Sequence, residues 1–149
     1  MGFIRPAAAT DICRLCEIEI FNYRLNFYPI FKNDSFYFRE LQVSSMMESY
    51  RTDGDKLAQT FVYDDGTVKG FIRMDGQQIE KLFVEPVLHS HGIGSNLIQY
   101  AITHKDASWL WALEKNTRAI ALYEKHGFHK TGDRIPEEGT DEYLILLRR

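Results

Sequence analysis

Two glycines, Gly92 and Gly94, separate an apolar run that reads as a strand (residues 79–84) from an amphipathic run. In the latter, Ile93, Leu97, Ile98 and Ala101 fall on one helical face. A strand, a glycine loop and a helix in that order leave unpaired backbone N–H groups pointing out of the helix N-terminus. With the positive end of the helix dipole, these groups make an anion site, commonly for phosphate. Glycine suits the loop because the backbone must approach the anion closely and a Cβ would obstruct it. No GK[ST] follows, so the loop is not a P-loop. It is not a full dinucleotide fingerprint either, because Leu97 stands where the third glycine belongs and the run lies mid-chain, after several strands. A nucleotide-dependent oxidoreductase would need that glycine and an acidic ribose-binding residue at a strand end, and it ranks last among the readings. His89 and His91 bracket the loop, but a His-x-His pair without a third ligand implies no metal. Cys13 and Cys16 form a lone CxxC, too few ligands for zinc, and on a helix with Ile12 and Leu15 they read as core residues.

Length and composition narrow the class. The 149 residues read as one domain, 1–149, large enough to bury a core. A hydrophobic content of 44% and a charged content of 26% describe a globular chain. The net charge of −3 comes without a basic stripe and argues against a nucleic-acid partner. No apolar run nears the roughly 20 residues of a membrane span, and the N-terminus lacks the pattern of a signal peptide. A cytoplasmic setting with no membrane partner is the expectation.

The elements that must position the glycine loop follow from period and punctuation. Residues 2–5 read as a short strand closed by Pro6, and Thr10 or Asp11 starts a first helix to about residue 23. An aromatic segment (Phe21, Tyr23, Phe27, Tyr28, Phe31) is broken by Pro29. A second helix runs from Asp34 or Ser35 to about Arg51, and residues 52–56 read as a loop. Asp65-Gly66 and Asp75-Gly76 are hairpin turns joining strands at 60–63, 68–73 and 77–84. After the glycine helix come a strand at 108–113, a helix at 117–126 ended by Gly127, and strands at 128–132 and 143–147 joined by a polar loop at 133–141. The order is β-α-α-β-β-β-α-β-α-β-β. It predicts an α/β (α+β) fold with a mixed, mostly antiparallel central sheet, helices on both faces, and parallel strands around the glycine helix.

Assembled, the chain resembles the GNAT superfamily of acyl-CoA-dependent N-acyltransferases. LFVEP at 82–86 followed by HSHGIG at 89–94 resembles the family's pyrophosphate loop. NTRAIALYEKHGF at 116–128, with Asn116, Ala119, Tyr123, Gly127 and Phe128, is similar to its Asn-x-x-Ala signature. The element order matches from end to end. One departure stands out: His89 occupies the place where the family has Gln or Arg, which His91 partly offsets when protonated.

The resemblance implies acetyl-CoA as co-substrate. Leu82, Phe83 and Val84 would offer backbone hydrogen bonds to the pantetheine arm. The loop from His89 and Ser90 through His91, Gly92, Ile93, Gly94 and Ser95 would hold the diphosphate, and Asn116 and Ala119 would border the arm. It implies direct attack by an amine, with Glu80 as candidate base, placed by strand alternation on the face of Leu82 and Val84, and Tyr123 as general acid. The alternative is a non-catalytic acyl-CoA-binding or sensing module. Aromatic residues between Phe21 and Phe38, and carboxylates Glu137, Glu138, Asp141 and Glu142, suggest a cationic or aromatic-bearing acceptor, a small molecule or a peptide. The protein would act as a monomer or a homodimer.

Overall fold

A computed structural model describes residues 2–149. Seven strands form one sheet in the order β1-β2-β3-β4-β5-β7-β6. Strand β1 is Ile4–Pro6, and Pro6 ends it without cost because it lies on the sheet edge, where an N–H is dispensable. Strands β2 (Thr60–Asp64), β3 (Val68–Asp75) and β4 (Gln78–Val84) form the expected antiparallel meander. Both hairpin turns carry a left-handed glycine, Gly66 at φ 119° and Gly76 at φ 59°. Strands β5 (Trp109–Leu113), β6 (His129–Pro136) and β7 (Tyr143–Arg148) complete the sheet, with β7 between the other two. Strand β6 runs further than its sequence suggests, because Arg134, Ile135 and Pro136 pair with β7 beyond an irregularity at Gly132.

The helices sandwich this sheet. On one face α1 (Ile12–Asn22) buries Ile12, Leu15, Cys16 and Ile18 against Phe71 and Phe83. Cys13 is exposed at the margin of this face, so only Cys16 is a core residue; the expectation of two packed cysteines fails at position 13. The helix does not stop before Pro29. A π-helical stretch, Tyr23–Phe27, joins it to α2 (Tyr28–Phe31), and the Tyr28 N–H bonds back to the Tyr23 carbonyl. The wider turn shifts the ladder by one residue just before the proline, whose missing N–H then interrupts nothing.

The second helical region is divided rather than continuous. A π turn, Phe36–Glu40, ends at extended Leu41 and Gln42, and α3 (Val43–Thr52) begins afresh. The expected loop at 52–56 instead contains α4 (Gly54–Ala58), because the Asp53 carboxylate caps the N–H groups of Asp55 and Lys56. Among the described residues, no helix is long and apolar enough to cross a membrane.

On the other face α5 (Ile93–Lys105) buries Ile93, Leu97, Ile98 and Ala101. It sits close to β3 because Gly70 has no side chain. A Cβ there would lie 3.0 Å from the Phe83 carbonyl oxygen and 3.2 Å from Ile93 Cγ2. Gly70→Ala is therefore expected to destabilise the fold by about 1–3 kcal/mol. A lower urea midpoint with an unchanged m-value would show it.

Candidate active site

The sheet opens at its centre. Strands β4 and β5 are parallel neighbours that share a single register pair, Gln78↔Trp109, and part beyond it. The Glu85 N–H bonds to Lys69 on the β3 side. By strand alternation residues 83 and 81 also direct their backbone groups to β3, while Leu82 and Val84 direct theirs into the gap. The Val84 carbonyl is already engaged, accepting from Asn22 Nδ2 at 2.9 Å and from His89 Nε2 at 3.0 Å. The backbone of Leu82 is free of β5 and faces the opening.

The loop beyond β4 is shaped for an anion. A short turn, Pro86–Leu88, leads to Ser90 at φ 68° and Gly92 at φ 83°, both left-handed, and α5 starts at Ile93. The first amide bonded back within this helix is that of Asn96, to Gly92, and Gly92 has no side chain to cap the rest. The N–H groups of Ile93, Gly94 and Ser95 therefore point outward at the positive end of a 13-residue helix. The two glycines act differently. Gly92 supplies the left-handed turn, whereas a Cβ on Gly94 would come within 3.1 Å of Leu122 and 3.7 Å of Val84. This cradle of left-handed backbone and free amides fits a diphosphate.

His89 turns inward. Its Nε2–H donates to Val84, and because an arginine can only donate, Nδ1 accepts from Arg118 Nη1. Burial, then the nearby Arg118 charge, lower its pKa, so it is the neutral Nε2–H tautomer. Both ring nitrogens of His89 are thus bonded within the protein, and its amide bonds to Pro86.

Helix α6 (Thr117–Lys125) holds the candidate acid. Asn116 is its N-cap, with Oδ1 accepting from the Ala119 N–H, so the Asn-x-x-Ala spacing starts a helix. At the far end Gly127 is left-handed at φ 91°; its N–H bonds to Glu124 and that of Phe128 bonds to Tyr123. This is a Schellman stop, and the Phe128 ring meets the Tyr123 ring edge-on at 6.0 Å. The signature thus pins Tyr123 from both ends of one short helix. Tyr123 is 7% exposed, and burial pushes its pKa well up, so the phenol keeps its proton.

Glu80 is not where strand alternation puts it. The register passes from Arg73↔Lys81 to Met74↔Ile79, leaving Glu80 as the extra residue of a bulge. Ile79 packs into the α5-side core, and Glu80 turns to the α1 face, opposite to Leu82 and Val84. There its Oε1 lies 3.7 Å from Arg73 Nη1, and it lines a cavity of about 400 Å³ with Glu19, Tyr23, Lys56 and Lys81. Arg73 is buried, donates to Thr60 Oγ1 at 3.2 Å and to the Tyr50 hydroxyl, and lies 3.8 Å from Glu19 Oε1. Glu19 Oε2 accepts from the Tyr23 hydroxyl, which in turn accepts from Lys81 Nζ. None of these partners of Glu80 was singled out from the sequence.

A mixed sheet splayed around a glycine-loop helix, with a capped tyrosine-bearing helix beside the gap, defines an acyl-CoA-dependent acyltransferase architecture. The family model for the acetyltransferase (GNAT) domain matches residues 56–130, and the chain belongs to this family. The peptidyl-lysine N-acetyltransferase YjaB of Salmonella typhimurium is 29% identical over 110 residues, covering 68% of this chain and 76% of that protein. The solution structure of apo YjaB from Escherichia coli superposes with a TM-score of 0.71 at 22% identity, covering 97% of this chain and 95% of that one. The structure of yncA from Salmonella typhimurium with its cofactor acetyl-CoA has a TM-score of 0.71 at 18% identity, covering 98% of this chain and 91% of that one. The protein is an acetyl-CoA-dependent N-acetyltransferase.

Proposed function

We propose that the enzyme acetylates a lysine-type primary amine, in a peptide or a small cationic molecule, by direct attack. The carrying observation is the bulge that sends Glu80 to the α1 face two residues before Leu82. It sets a carboxylate across the sheet from the face that α5 covers, so amine and thioester approach from different sides. The co-substrate supplies an activated acetyl thioester. The Leu82 N–H is placed to donate to the thioester oxygen as charge develops there. An alkyl ammonium holds its proton at neutral pH, with a pKa near about 10.4. Glu80 accepts that proton, directly or through one water, and the freed amine nitrogen then bonds to the acetyl carbon; its second proton leaves as the adduct collapses, balancing the one taken up by the departing sulfur. The carbon–sulfur bond breaks, and Tyr123 donates to the departing thiolate. Ser90 to Ser95 hold the diphosphate, and the amide side chain of Asn116 borders the arm.

A cationic acceptor is supported by what gathers on the α1 side. Burial and then the charge of Glu137, in the loop between β6 and β7, raise the pKa of Tyr37 in the aromatic segment. Tyr28 and Tyr37 meet edge-on there, and Glu138 and Asp141 follow Glu137 in the same loop. Aromatic faces with carboxylates favour an ammonium. Glu142 is drawn away by Lys115 at 3.1 Å. The relatives named peptidyl-lysine N-acetyltransferases agree with this class.

The test is thiol release from acetyl-CoA with a lysine peptide, a polyamine and an anionic amine offered in parallel. The wild type should prefer the cationic acceptors. Glu80→Gln should lower kcat/KM about a hundredfold at pH 7, with the deficit narrowing toward pH 10 as the amine deprotonates unaided. Preference for the anionic amine, or an unaltered Glu80→Gln enzyme, would overturn the reading.

A further inference from the structure

At position 89, where the resembled family has Gln or Arg, the diphosphate loop carries a histidine whose ring is turned inward, yet a cation stands beside it. Arg118, in the first turn of α6, reaches across 29 residues of sequence to His89 Nδ1 and to Ser90 Oγ at 3.2 Å. It is exposed, and among the described residues no carboxylate lies within ion-pair reach of it. A cation in the first turn meets the positive end of its own helix dipole, where it costs the helix stability. Two of its five N–H donors are used on the loop, and the remaining three are available to an anion. His89 is held in the form that can receive it, since Nε2–H is committed to Val84 and leaves Nδ1 as an acceptor.

We propose that Arg118 is the permanent side-chain cation of the diphosphate site, supplied from α6 and aimed by His89. The inference rests on the reading that residues 90–95 hold the diphosphate. With the N-terminus of α5 on one side and Arg118 on the other, the diphosphate is held between two helices, so binding also fixes α6. Tyr123 lies five residues further along that helix. His89 is thereby a positioning residue for a binding arginine and makes no contact with the ligand itself.

Calorimetric titration of CoA, dephospho-CoA and pantetheine into the wild type and Arg118→Ala tests this. CoA and dephospho-CoA both carry the diphosphate, only CoA carries the 3′-phosphate, and pantetheine carries neither. Arg118→Ala should weaken CoA and dephospho-CoA by the same factor, on the order of tenfold or more. Pantetheine binding should not change. Arg118→Lys should recover part of the loss, because a point charge replaces the fork, and His89→Ala should lose an intermediate amount. A loss confined to CoA would place Arg118 on the 3′-phosphate and overturn the proposal. Equal affinities of wild type and variant would overturn it too, while the diphosphate reading survives as long as the wild type prefers CoA to pantetheine. A wild type that binds both alike would remove that reading and this inference together.

Discussion

Replacing Tyr123 with phenylalanine is expected to lower kcat by about a hundredfold or more, the usual weight of a positioned proton donor. Affinity for acetyl-CoA should stay within about twofold, since no ligand-facing amide moves. The substitution is well isolated. The Schellman stop uses the backbone of residues 123, 124, 127 and 128, and the contact with Phe128 uses the ring, so both survive. What disappears is a hydroxyl whose pKa burial has raised. A donor must be protonated to work, and a phenol shifted upward stays so as pH rises through neutrality. The wild-type rate should therefore show no loss attributable to Tyr123 below about pH 10, the ordinary value for a phenol. The same shift limits how far the proton travels. A phenol well above the thiol range of about 8.5 stabilises a departing thiolate chiefly as a hydrogen-bond donor. Steady-state rates beside calorimetric affinities would separate the effects, and an unchanged kcat would confine Tyr123 to packing.

The largest effect on stability is expected at Arg73. This side chain is 2% exposed and Glu19 is 4% exposed, and Glu19 Oε1 is buried without a hydrogen bond. Arg73→Met would leave that carboxylate without its cation and the Tyr50 hydroxyl without its donor. Losing one partner of a buried pair costs about 3–5 kcal/mol, a fall of roughly 10 °C in Tm for a chain of this size. Adding Glu19→Leu to Arg73→Met should restore a good part of the loss, because both desolvated charges are then gone. Thermal unfolding of the two single variants and the double variant would measure the coupling. A double variant no more stable than Arg73→Met would show that Arg73 acts through Tyr50 and Thr60 rather than through Glu19.

The parts of the molecule written in local code were legible from the sequence. The Asp-Gly hairpins, the Gly92 start of α5 and the Asn116 and Gly127 ends of α6 each depend on a few adjacent residues, and all lie where their spacing put them. The features that escaped depend on distant pairing. Alternation predicts the face of Glu80 only if the strand is regular, and the bulge that turns it arises from how β4 pairs with β3. Arg73, Glu19 and Tyr50 come from three elements, and nothing in their neighbourhoods announces the network. Arg118 is an ordinary helix residue until the fold sets it against His89. Pro29 misled for the opposite reason: a proline breaks a strict α ladder, but the turn at Tyr23–Phe27 is not strict.

The single rung between β4 and β5 bears on how the protein avoids its own kind. A sheet edge with unpaired backbone invites other chains, and the two outer edges here are poor hosts. Strand β1 has three residues and ends in Pro6. Strand β6 is fully exposed, charged at Lys130, Asp133 and Arg134, and irregular between Lys130 and Arg134. The receptive edge is internal, along β4 from Leu82, with Asn22 and His89 already seated on the Val84 carbonyl. A slim arm carrying its own amides can slip in and complete the ladder there, while a whole strand of another molecule meets the walls of the cleft first. On the proposed reading of the cleft, poor outer edges and a seat for the co-substrate follow from the same choice of where to leave the sheet unfinished.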